Sequence, residues 1–255
     1  VSDVKQTLAA GKFMPMPMAS VATQSLASPL IKRSACFLLT SGGIMNQSMV
    51  MALADLLGKP FSEANLAFIP TAANVEVGDK SWLINDLNDM KNLGFKEVDI
   101  VDIAALHEEK MWRPRLENAD VLVFGGGNSF YLMHWMEKSG LEKFFPELLK
   151  TRVYVGISAG SIVTNPGLLT SQSDRNFYGD EAKGYTNTRG LGFVNFHIRP
   201  HLNSPYFPNV TQELLEKLAR EIQEPLYAID DQTALKVVDG KLEIITEGEY
   251  IVFNR

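Results

Sequence analysis

Gly156-Ile157-Ser158-Ala159-Gly160 is a G-x-S-x-G pattern at the end of the apolar run Val153–Ile157. With a strand before it and a helix start after it, the pattern has a mechanical meaning. A sharp turn lifts the Ser158 hydroxyl above a sheet, and the flanking glycines remove Cβ atoms that would collide with neighbouring strand and helix. The backbone N–H of Ala159 then points to where an oxyanion would form, so the chemistry is nucleophilic attack on a carbonyl. The same residues also fit a plain strand–turn–helix in which Ser158 only caps the helix.

A second glycine cluster, Gly125-Gly126-Gly127, ends the strand-like run Val121–Phe124 and leads through Asn128-Ser129 into a helix. Three glycines before a helix start allow close backbone approach and make a concavity suited to an anion. Neither a G-K-[ST] ending nor G-x-G-x-x-G spacing is present, so a nucleotide loop is disfavoured. If the two glycine loops lie side by side, the Gly127 N–H joins that of Ala159 as a second donor to a tetrahedral intermediate.

A serine nucleophile needs a base, and the base needs an orienting group. Of the four histidines, His107 lies in the charged stretch LHEEK and His134 inside the helix after the glycines. His197 sits within the strand-like run Val194–Ile198, and His201 follows Pro200 where that run ends. His201 is favoured because a proline stiffens its approach, with His197 as reserve. The orienting carboxylate is sought at the strand end Tyr227–Ile229, which runs into Asp230 and Asp231. Alternation allows one of these to face a site, and a turn would use both as caps.

The elements that must position these residues alternate along the chain. Strands are expected at Ala35–Leu39, Ala64–Ile69, Val98–Ile103, Val121–Phe124 and Val153–Ile157, with helices at Asn46–Leu57, Ser81–Leu93, Phe130–Lys138 and Leu141–Lys150. This pattern predicts an α/β fold with a doubly wound, mostly parallel sheet flanked by helices and a ligand site at the carboxyl ends of its strands. A helix at Glu213–Ile222, a strand at Pro225–Asp230 and a hairpin turning at Asp239-Gly240 close the chain with antiparallel strands.

Composition narrows the function classes. The 255 residues carry 24 Lys and Arg against 30 Asp and Glu, a net charge of −6, which disfavours nucleic acid and anionic membranes as partners. A single cysteine, Cys36, excludes an intrachain disulfide, and the scattered histidines give no metal-ligand spacing, so neither metal nor cofactor is expected. No apolar run nears the roughly 18 residues of a membrane span, and a reducing cytoplasm fits best. Residues 1–33, with Met14 to Met18 reading MPMPM, form an N-terminal extension or arm before a single domain of residues 34–255. The extension is basic and acid-poor but lacks the arginine richness of a transit peptide. Whether the chain is a monomer or a homodimer stays open at this level.

The combination of GGGNSF, then GISAGS, then PH, then a late acid resembles the dipeptidase E family of serine peptidases, relatives of the cyanophycinases. The resemblance covers about residues 35–250 and implies a fold similar to class I glutamine amidotransferases. It implies Ser158 as nucleophile, His201 of RPHLN as base and Asp231 of AIDDQTAL as third triad member, with Gly127 and Ala159 as oxyanion donors. The order Ser, His, acid differs from the Ser, acid, His order of α/β-hydrolases. The implied activity is hydrolysis of dipeptides or short peptides, the alternatives being a cyanophycinase-like or amidase hydrolase and a non-catalytic binding relative.

Asn128, Asp174 and Arg175 are the residues expected to meet substrate, Asp174 lying where the family carries an acid suited to the amino group. The family's selection of an amino-terminal aspartate rests on an arginine downstream of the histidine. The corresponding stretch FPNVTQELLEK has none, which leaves Arg175, Arg189 or Arg199 to supply that cation. The polar segment from Thr170 to Gly192 is long enough to cover a substrate.

Overall fold

The computed structural model describes residues 35–171, 184–185 and 187–255. The extension expected at 1–33, and Asp174 and Arg175 with much of the covering segment, lie outside the described residues.

Five parallel strands form the heart of the fold: β1 (Cys36–Thr40), β2 (Asn65–Ile69), β3 (Glu97–Ile100), β4 (Val121–Phe124) and β5 (Val153–Ile157). They share a seven-stranded sheet with the hairpin β8 (Thr233–Val238) and β9 (Lys241–Thr246), in the order β3-β2-β4-β5-β1-β8-β9. β8 runs antiparallel to β1, so the hairpin widens one edge of the sheet as expected.

The apolar runs of β1, β4 and β5 are continuous because both faces of the sheet are covered. Phe37, Leu39, Leu122, Phe124 and Tyr154 enter one core. Cys36, Leu38, Val121, Val123, Val153 and Val155 enter the other, under helices α1 (Gln47–Leu57) and α2 (Ser81–Asn92). On the first face lie α3 (Glu109–Asn118), α4 (Ser129–Lys138), α5 (Phe145–Leu148) and the short α6 (Ala159–Ile162).

Three local departures have clear causes. α3 was not expected, because EKMWRPRLEN is highly charged and contains Pro114, yet Trp112 and Leu116, one turn apart, bury fully beneath it. The single helix expected over Leu141–Lys150 divides into a 3₁₀ turn, Leu141–Phe144, and α5, with Pro146 in the first turn of α5. The strand Leu226–Ile229 (β7) does not join the main sheet. It pairs in parallel with β6 (His197–Arg199) and antiparallel with β10 (Tyr250–Phe253), making a second sheet.

A separate core of Leu202, Val210, Leu215, Leu218 and Leu226 supports that second sheet beneath the helix Gln212–Ala219. Among the described residues, no helix is long and apolar enough to cross a membrane.

Candidate active site

The turn between β5 and α6 is strained at one residue. Ser158 has φ 49° and ψ −105°, a conformation costly for any side chain with a Cβ. Its backbone N–H donates to the Thr40 carbonyl at 3.1 Å, and the Ser161 hydroxyl donates to the same oxygen at 2.7 Å, tying the turn to the end of β1. The glycines permit this packing: a Cβ on Gly156 would sit 2.7 Å from the Gly160 carbonyl oxygen, and one on Gly160 would strike the Phe124 carbonyl of β4. Strand, turn and helix therefore approach more closely than side chains allow, and the serine is pushed outward.

The β4 glycine loop lies beside this turn. A Cβ built on Gly126 would be 3.5 Å from that of Ser158, and Gly127, with φ 125°, has the Ala72 carbonyl where a side chain would go. Among the described residues, the N–H groups of Gly126, Gly127 and Ala159 make no hydrogen bond, whereas that of Asn128 donates to the Ala72 carbonyl at 2.9 Å. Uncommitted amides thus gather beside the Ser158 hydroxyl. Asn128, expected to meet substrate, is 97% buried, and its side-chain oxygen accepts the Tyr131 N–H at 2.9 Å as the cap of α4.

The second sheet delivers the remaining groups. β6 and β7 lie side by side and in register, so the residues just beyond their ends, His201 and Asp231, arrive together. His201 Nε2 lies 2.9 Å from Ser158 Oγ, and its Nδ1 lies 3.0 Å from Asp231 Oδ1. His201 itself has φ 67°, and its ring is stacked on Phe207 at 4.0 Å with an 11° interplanar angle.

The two acids divide cleanly. Asp230 Oδ1 accepts from the Gln232 N–H at 3.0 Å and the Thr233 hydroxyl at 2.7 Å, while its Oδ2 accepts the Glu249 N–H at 2.6 Å. It is a turn-builder; Asp231 faces the imidazole. Burial raises the Asp231 pKa, but hydrogen bonds from His201 and Ser41 outweigh it and hold the carboxyl below its ordinary value.

Ser41 has no counterpart in the sequence-level reading. Fully buried at the end of β1, its hydroxyl donates to Asp231 Oδ1, accepts the His201 backbone N–H at 2.8 Å and lies 3.2 Å from His201 Nδ1. The network is satisfied when Nδ1 carries the proton toward Asp231, which leaves the Nε2 lone pair for the Ser158 hydroxyl. The TSGG sequence that carries Ser41 also fits an ordinary strand-end turn, so only the fold reveals its place.

The other histidines lie elsewhere. His197 is buried with Nε2 3.6 Å from Glu224, His134 packs against Trp135 and Tyr185, and His107 is exposed. Arg189 pairs with Glu137 and Glu142, and Arg199 is buried with its guanidinium against the Thr170 carbonyl. Among the described residues, no three His, Cys, Asp or Glu side chains are grouped so as to hold a metal ion.

The family model of peptidase family S51 matches residues 37–245. The chain belongs to this family. An uncharacterized peptidase of Listeria monocytogenes is 29% identical over 190 residues, covering 71% of this chain and 85% of its own. The peptidase E of Shewanella amazonensis is 27% identical, covering 74% of this chain and 78% of its own.

Among solved structures, that of a candidate peptidase E protein from Listeria monocytogenes superposes with a TM-score of 0.67 over 84% of this chain and 99% of its own, at 23% identity. A peptidase from an acI-B1 Actinobacterium gives 0.62 over 87% of this chain and 98% of its own, at 20% identity. At such identities the superpositions establish the shared fold. The family match and the relatives make the S51 chain a peptidase, and its motif residues fall inside the matched segment.

Proposed function

We propose that this peptidase is a serine exopeptidase acting on dipeptides or short peptides through Ser158, His201 and Asp231. The observation that carries the reading is the unbroken line from Ser158 Oγ to His201 Nε2 at 2.9 Å and from Nδ1 to Asp231 Oδ1 at 3.0 Å. Its hydrolytic class is supported by the S51 family, and a preference for short peptides is what the resemblance to the dipeptidase E family implies.

In this mechanism His201 Nε2 takes the Ser158 proton as the oxygen attacks the scissile carbonyl. The Gly127 and Ala159 amides meet the oxyanion, a pair whose individual members are worth about 10²–10³-fold in rate. The tetrahedral intermediate collapses, His201 returns the proton to the leaving amine, and an acyl ester remains on Ser158. Water, deprotonated by His201, then attacks the ester and regenerates the hydroxyl. Asp231 stays ionised, holding the Nδ1 proton and offsetting the imidazolium charge, and Ser41 keeps Asp231 and His201 in register.

A fluorophosphonate probe and a peptide panel test the assignment. Wild-type protein is expected to be labelled at Ser158 and to release amine product in a burst with an activated substrate. Ser158→Ala is expected to lose both. Wild-type turnover in that variant would remove the nucleophile assignment.

A further inference from the structure

α2 passes the site with two residues of one face turned toward it. Trp82 and Asp86, four positions apart, stand about 6 Å from each other on that face. The edge of the Trp82 ring lies 3.6 Å from a Cβ built on Gly126, the same point that is 3.5 Å from the Ser158 Cβ. Trp82 is 37% exposed, so its indole borders the site instead of filling a core.

Asp86 Oδ1 lies 3.4 Å from a Cβ built on Gly43, and a Cβ on neighbouring Gly42 would lie 3.2 Å from the Asp231 carboxyl carbon. The Gly42-Gly43 pair thus puts no side chain between the Asp86 carboxyl and the rim of the site. Among the described residues Asp86 makes no hydrogen bond or ion pair, although it is largely buried. Of the charged groups, Asp89 on its own helix acts on Asp86, while Asp231 borders the other member of the glycine pair. Burial, with Asp89 adding to it, raises the Asp86 pKa to about 7. A largely buried, unpaired carboxyl with a second acid, Asp89, near it is a place for a cation.

We propose that Trp82 and Asp86 form a subsite for a basic side chain, lysine or arginine, in the residue whose carbonyl Ser158 attacks. The proposal rests on the serine peptidase reading and gives it a substrate class. A lysine or arginine stem spans about one helical turn, the spacing of the two residues, so its methylenes lie along the indole and its charge ends at Asp86. An acidic substrate residue would meet a carboxylate there.

The test compares Lys-Leu, Arg-Leu, Met-Leu and Asp-Leu as substrates, methionine being an uncharged chain of similar reach. Wild-type kcat/KM is expected to favour Lys-Leu and Arg-Leu over Met-Leu by about tenfold, with Asp-Leu last. In Asp86→Asn the Lys-to-Met ratio falls toward one, and in Asp86→Glu it is retained. Trp82→Ala raises KM for Lys-Leu and Met-Leu alike.

Equal kcat/KM across the wild-type panel, preference for Asp-Leu, or an unchanged ratio in Asp86→Asn overturns the charge preference. An unchanged KM in Trp82→Ala overturns the apolar half. If no dipeptide is hydrolysed, the proposed function fails, and calorimetry on the Ser158→Ala protein judges the subsite separately. Tighter binding of Lys-Leu than Met-Leu, lost when Asp86→Asn is added, supports it; equal binding refutes it.

Discussion

At the scale of single residues, the site depends on two side chains held where an unconstrained chain would not leave them. Ser158 at φ 49° and His201 at φ 67° both occupy the left-handed half of backbone space. Such strain costs on the order of 1–3 kcal/mol per residue and persists where surrounding contacts over-determine it. For Ser158 those contacts are the ties to Thr40, and for His201 they are Ser41 and Phe207. Ser41→Ala removes a hydrogen bond to a charged carboxylate, worth about 1.5–3 kcal/mol. It is therefore expected to lower kcat by about 10–100-fold with little change in KM, and Ser41→Thr is expected to restore part of the loss. Steady-state kinetics of the two variants separates this positioning role from a general loss of structure, which would lower active protein without distinguishing Thr from Ala.

At the scale of elements, the site is an assembly of strand and helix ends. The end of β5 supplies Ser158 and the Ala159 amide, that of β4 the Gly127 amide, that of β1 Ser41, and the ends of β6 and β7 the imidazole and carboxylate. α2 closes one side and carries an energetic penalty for doing so. Asp86 has a folded-state pKa near 7 against an ordinary value of 3.8. A raised pKa favours folding relative to higher pH: the relative stability is complete below about pH 4, is lost as pH rises, and is gone above about pH 7. Wild-type protein is therefore expected to lose stability over that interval. Asp86→Asn, which cannot ionise, is expected to be more stable at pH 8 by on the order of 2 kcal/mol and about equal at pH 4, as read by denaturant titration at the two pH values. Equal stability at pH 8 would mean that the carboxyl is well solvated.

At the scale of the whole molecule, the two sheets are joined through Asp230-Asp231-Gln232, where β7 of the small sheet passes into β8 of the large one. Asp230 ties this crossing to Thr233 and Glu249, and the Gln232 carbonyl accepts from Asn46, the cap of α1, at 2.9 Å. Neighbouring aspartates should then fail differently. Asp230→Ala is expected to cost about 2–3 kcal/mol of stability, seen as a lower Tm. Asp231→Asn is expected to keep a similar Tm and lose about 10³–10⁴-fold in kcat. The reverse pattern would exchange their roles. The sequence alone determined the α/β alternation, both glycine loops and the outward placement of Ser158, because strand periodicity and the sterics of a missing Cβ act within a few residues. It missed α3, whose two buried residues lie among charges, and strand alternation alone left Asp230 and Asp231 open, the family resemblance pointing to Asp231. The placement of β7 in a second sheet, which of the two acids faces His201 and the position of Ser41 were decided by tertiary structure. Ser41 meets His201 and Asp231 across 160 and 190 positions, and contacts at such separation leave no local pattern to read.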